Sequence, residues 1–116
     1  RKFEVIDARS KERFGGKIAE PRKGLRSGSI KNSFCLPFSN LINNDGTFAS
    51  KSKIFEKFKS IECDLDKNLV FSCGSGVTAA VLAFAYSLIN KNYMPIIYDG
   101  SWSEYGRYPI WNLLKN

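Results

Sequence analysis

Of the three cysteines in this chain, Cys73 has the surroundings of a reagent. It ends the apolar run Leu69-Val70-Phe71-Ser72 and is followed by Gly74-Ser75-Gly76-Val77-Thr78, after which Ala79 to Ala85 is apolar and rich in alanine. A thiol is a nucleophile only as its thiolate, and a thiolate is stabilised where backbone N–H groups converge at the start of a helix. Gly74 and Gly76 admit left-handed or otherwise strained dihedrals that bend consecutive amides toward one centre, and Thr78 is a good helix cap. Gly74, Ser75, Gly76, Val77 and Thr78 are therefore expected to form an anion cradle, able to hold a thiolate or the outer sulfur of a persulfide. The Ser75 hydroxyl falls in the same ring, where it can relay a proton or donate a hydrogen bond.

Neighbouring chemistries lack their residues. A dinucleotide loop needs G-x-G-x-x-G and a phosphate loop needs a Gly-Lys-Ser ending, and neither follows Cys73. A cysteine phosphatase needs an arginine six residues after its cysteine, where this chain has Ala79. With no histidine there is no Cys–His hydrolase within the chain, and with no CxxC either there is no recognisable zinc site. Cys63 stands between Glu62 and Asp64, whose charges disfavour a thiolate, and Cys35 lies in a short apolar run where cysteine serves as a small hydrophobe.

The elements that must position Cys73 read as an alternation. Phe3-Glu4-Val5-Ile6-Asp7 predicts a buried strand, Phe34 to Phe38 a second one broken by Pro37, and Leu69 to Cys73 a third. Ile54, Phe55, Phe58 and Ile61 have helical spacing within Ser50 to Ile61, and Thr78 to Ile89 predicts an apolar helix close to the sheet. Pro95 to Gly100 supplies a further strand and turn. The class is α/β with a mainly parallel sheet covered by helices on both faces. Residues 10–32, glycine-rich, charged and aperiodic, form a long connection of the kind kept for binding.

The 116 residues make one domain able to bury roughly two thirds of its unfolded surface. No apolar stretch approaches a membrane span, so a soluble protein is expected. The net charge of +7 comes from lysines scattered at positions such as 51, 53, 57, 59, 67 and 91, without the dense run or interleaved aromatics of a nucleic-acid platform. An odd number of irregularly spaced cysteines argues for a reducing compartment, the cytoplasm or, in a eukaryote, the mitochondrion. The absence of an initiator Met before the first strand reads as a cut from a longer protein.

Taken in order, Val5-Ile6-Asp7-Ala8-Arg9, Arg13-Phe14 with Glu20-Pro21-Arg22, Gly28-Ser29-Ile30 with Leu36-Pro37-Phe38, Cys73 to Thr78, and Asp99-Gly100-Ser101-Trp102 with Glu104-Tyr105 resemble the rhodanese superfamily. Its mercaptopyruvate branch, with glycine and serine in the loop where thiosulfate-preferring relatives carry cations, is the nearer. That resemblance implies a sulfurtransferase without cofactor or metal: Cys73 and Ser75 catalytic, and Arg13 and Arg22 gripping the carboxylate of 3-mercaptopyruvate. It implies a thiol acceptor such as thioredoxin, or cyanide, and an N-terminal rhodanese-like domain, outside this chain, that covers the site and supplies an Asp and a His. The scattered charge and the lack of a long apolar stretch lead us to expect no nucleic-acid and no membrane partner. Histidine is common in that family where Ser29 stands, which marks a lost structural contact. Thiosulfate:cyanide transfer and a non-catalytic persulfide-carrying module are the alternatives. Asp7 with Arg9 reads as a structural loop pair rather than an acid or base, while Trp102, Tyr105 and Trp111 read as core or interface aromatics.

Overall fold

The computed structural model describes residues 3–74, 77–92 and 96–107. Among the described residues three parallel strands form a sheet in the order β2-β1-β3, with β1 (Phe3–Asp7) between β2 (Phe34–Cys35) and β3 (Asn68–Ser72). The register pairs Val5 with Val70, Ile6 with Phe71 and Asp7 with Ser72, so alternate residues of both strands share a face. Of the strand expected from Pro95 to Gly100, Pro95 lies outside the described residues, and the described part meets this sheet at a bridge, Ile97 beside Phe71. Phe71 N–H donates to the Ile96 carbonyl and Tyr98 N–H donates to the Phe71 carbonyl.

Ile6, Leu69 and Phe71 point to the face covered by α2 (Lys51–Ser60) and α3 (Ala79–Ile89). Ser50 caps α2, its hydroxyl accepting from Lys53 N–H, and Ile54 and Phe58, one turn apart, are fully buried. Phe58 meets Phe71 edge-on at 6.2 Å and Tyr86 at 4.9 Å between ring centroids, which locks α2, α3 and the sheet together. Phe55, expected on that stripe, is 45% exposed and lies under the Lys59 ammonium. Thr78 occupies the residue before α3 but makes no capping bond, its own backbone being already helical.

On the other face Val5 and Val70 line an apolar groove with Phe3, Ile30, Ile97 and Tyr105, the last residue of α4 (Ser101–Tyr105). The long connection after β1 holds one helical turn, α1 (Lys11–Phe14), capped by the Ser10 hydroxyl, and is otherwise irregular. Among the described residues no helix is long and apolar enough to cross a membrane. The aromatic junction is expected to carry much of the stability. Phe58→Ala should cost about 3–5 kcal/mol in urea unfolding, against less than about 1 for Phe55→Ala, whose ring already faces solvent.

Candidate active site

Cys73 follows directly on β3 and is 1% exposed, at a cleft of about 320 Å³. The cleft is also lined by Arg13, Glu20, Arg22, Gly74, Val77 and Thr78, so it gathers residues far apart in the chain around one sulfur. Of the residues singled out by the sequence, Ser75 and Gly76 lie outside the described residues, as does Trp111. Asp99 is exposed and lines no part of the cleft.

The residues flanking the sulfur are held by the start of α4. Cys73 N–H donates to the Ser101 hydroxyl at 3.0 Å, and that hydroxyl donates to the Tyr98 carbonyl at 2.8 Å. Trp102 N–H donates to the Cys73 carbonyl and Ser103 N–H to the Gly74 carbonyl, at 2.9 and 2.8 Å. Ser101 is fully buried and has a φ of 48°, a conformation that costs a residue with a Cβ about 1–2 kcal/mol. The hydrogen bonds to the Cys73 backbone coincide with that strain. In the sequence Ser101 stands only as part of the Asp99-Gly100-Ser101-Trp102 motif, with no role of its own assigned to it.

Gly74 makes room for a side chain from elsewhere in the chain. It is not in the left-handed region, and a Cβ there would stand 2.9 Å from Arg13 Nη2. The missing side chain leaves room for the close approach of a guanidinium. Arg13 in turn is bound to Glu20 at two points, Nε to Oε2 at 3.2 Å and Nη2 to Oε1 at 2.7 Å. This hydrogen bond does most to raise the Arg13 pKa; burial opposes it, and the charges of Glu20, Asp7 and Cys73 add to it. Arg22 is exposed, with no ion pair among the described residues, and brings a second positive charge to the cleft.

Behind these residues lies a buried ion network. Asp7 accepts from Arg9 Nε and Nη2 at 2.8–3.1 Å, so the pair is structural, as the sequence suggested. Arg9 Nη1 also donates to Glu20 Oε2, and Nη2 to the Gly28 carbonyl. The Arg9 guanidinium sits 4.8 Å from the centroid of the Trp102 ring, whose other contacts include the Arg26 guanidinium at 4.9 Å and the Arg26 carbonyl. Among the described residues no group of three metal-ligating side chains comes together.

The remaining thiols are held protonated. Burial pushes Cys35 up to about 11, with Asp7 adding to it. Burial likewise raises Cys63 to about 11, helped by the charges of Glu4 and then Asp64. The sequence pointed to Glu62 and Asp64; the fold keeps the contribution of Asp64 and adds a larger one from Glu4 on β1.

The family model of the rhodanese-like domain matches residues 1–108. The chain is 43% identical over 107 residues to thiosulfate/3-mercaptopyruvate sulfurtransferase 1, mitochondrial, of Arabidopsis thaliana, covering 92% of this chain and 28% of that protein. It is 43% identical over 105 residues to 3-mercaptopyruvate sulfurtransferase of Mus musculus, covering 90% and 35%. The crystal structure of SseA from Escherichia coli, described with the rhodanese fold of 3-mercaptopyruvate sulfotransferases, superposes with a TM-score of 0.71 at 33% identity, over 89% of this chain and 37% of that one. The chain thus spans about a third of the length of the relatives it matches.

The thiol settings carry a direct consequence. At about pH 8 only about one in a thousand Cys35 or Cys63 side chains is a thiolate, so limiting iodoacetamide should modify Cys73 first. Peptide mass mapping should find label on Cys35 and Cys63 in the folded protein only as pH climbs toward 11; preferential labelling of either at about pH 8 would contradict this picture.

Proposed function

Since the chain belongs to the rhodanese-like domain family, we propose that it is the catalytic domain of a sulfurtransferase that takes sulfur from 3-mercaptopyruvate onto Cys73. The observation that carries this reading is the cleft itself, which sets Cys73 beside two guanidinium-bearing walls, Arg13 and Arg22. An α-keto acid bearing a thiol has the matching parts: a carboxylate for a guanidinium and a sulfur for the nucleophile.

In this mechanism the Cys73 thiolate attacks the sulfur of the substrate, forming an S–S bond. The substrate C–S bond breaks and its electron pair leaves as the enolate of pyruvate. The proton of the substrate thiol ends on the pyruvate methyl group, which leaves a charged persulfide on Cys73 and requires no oxidant. Ser75 is assigned the relay of that proton, and residues 74–78 the cradling of the outer sulfur. A thiol acceptor of the thioredoxin kind, or cyanide, then removes the outer sulfur and restores the thiolate. We place an N-terminal rhodanese-like domain over the cleft, where it would exclude water and add groups for proton transfer, and assign the protein to a reducing compartment, cytoplasmic or mitochondrial.

The test is a single turnover without acceptor. About one pyruvate should be released per Cys73 on mixing with 3-mercaptopyruvate, and none with Cys73→Ser. Thiosulfate, a dianion that the glycine- and serine-only loop serves poorly, should load Cys73 more slowly. Faster loading by thiosulfate would move the activity to thiosulfate:cyanide transfer, and no loading by either donor would leave a non-catalytic module. Arg22→Ala should slow pyruvate release about tenfold or more while leaving neutral iodoacetamide labelling of Cys73 unchanged. Equal losses in both would mean that Arg22 serves the fold instead.

A further inference from the structure

Glu20 lines the cleft, yet its side chain is fully buried and both of its oxygens are occupied by guanidinium groups. One of those groups, Arg9, is itself immobilised, buried at 1% exposure between Asp7, the Gly28 carbonyl and the Trp102 ring. Glu20 is therefore a carboxylate of fixed orientation, and Arg13 is docked on it. The docking uses the side edge of the Arg13 guanidinium, Nε and Nη2. Of the five N–H bonds of a guanidinium this takes two; the three that remain, on Nη1 and Nη2, have no hydrogen-bond partner among the described residues. The docked Nη2 is also the atom that approaches Gly74 to within 2.9 Å of a hypothetical Cβ.

We propose that Glu20 is a positioning residue, which holds Arg13 by its side edge against Gly74 so that the end edge is preset for the carboxylate of the incoming substrate. This rests on the reading of Cys73 as nucleophile and Arg13 as a carboxylate ligand. An arginine side chain free to turn would have to be ordered at each binding event; the Glu20 contact meets that cost during folding. Arg22, exposed and without an ion pair among the described residues, has no such anchor and provides the internal contrast. Glu20 also cancels charge, so positioning and simple neutralisation predict opposite signs. If neutralisation were its effect, removing the carboxylate would make the cleft more attractive to anions.

The experiment compares the rates at which Cys73 of the 116-residue chain reacts with iodoacetate and with iodoacetamide. The neutral reagent corrects for the thiolate fraction, and the ratio reads recognition of a carboxylate. In Glu20→Gln the ratio is expected to fall about tenfold, close to its value in Arg13→Ala, and the double variant should fall no further than Arg13→Ala alone. A ratio that is unchanged or higher in folded Glu20→Gln overturns the proposal. Should that variant fail to fold, the unaltered chain still decides the matter: the Arg13 Nε–H should exchange with solvent at least about tenfold more slowly than that of Arg22 in nitrogen-15 NMR. Equal exchange rates overturn the proposal. A chain that takes no sulfur from 3-mercaptopyruvate but shows the expected ratios would lose the proposed function while keeping the positioning role, so the two failures are distinguishable.

Discussion

The Arg9 guanidinium, 1% exposed, must be paired where it lies, and much of the site follows from how that need is met. Removing one partner of such a buried pair typically costs about 3–5 kcal/mol, because the remaining charge cannot be rehydrated. The four partners of Arg9 come from three places: Asp7 at the end of β1, Glu20 and Gly28 from the long connection, and the Trp102 ring on α4. A connection with little regular structure is thereby tied to the sheet by charge rather than by apolar burial. Its irregularity is compatible with precision because its fixed points are ionic.

Two arms reach from Arg9 to the nucleophile. One runs through Trp102 into α4, whose first residues hold the backbone of Cys73 and Gly74. The other runs through Glu20 to Arg13, which closes over Gly74. The arms meet at Gly74 from different elements, and the missing side chain there lets the second one arrive. Any larger residue at that position would have to displace the guanidinium, so the loop glycine and the cationic wall form one structural decision. The strain at Ser101 belongs to the same arrangement: the fold accepts an unfavourable backbone angle where it supplies the hydroxyl that receives the Cys73 amide.

The sheet, α2 and α3 were legible because their signals are local and periodic. Leu69 to Cys73 is a near-continuous apolar run, and Ile54 and Phe58 lie one helical turn apart. Cys73, Arg13 and Arg22 were named from the sequence, and the fold brings all three to one cleft. What could not be read depends on distance in the chain. Glu20 is an ordinary charge in a charged loop until folding places Arg9 and Arg13 against it, 11 and 7 residues away. The spatial reason for Gly74 lies 61 positions upstream in Arg13, and the suppression of Cys63 comes first from burial and then from Glu4 on another strand. Thr78 looked like a cap by residue type, but a helical backbone at that residue leaves its hydroxyl without the capping bond. Residue type announces chemistry, whereas the groups that aim it are set by tertiary contacts.

On the proposed function, Cys73 accepts a single sulfur atom in this cleft. Intact-mass measurement after brief mixing with 3-mercaptopyruvate, followed by peptide mapping, tests it most directly. A gain of about 32 Da, one sulfur atom, is expected on the Cys73 peptide, removed by a thiol or by cyanide. A gain of that size on Cys35 or Cys63, or one that persists in Cys73→Ser, would contradict it.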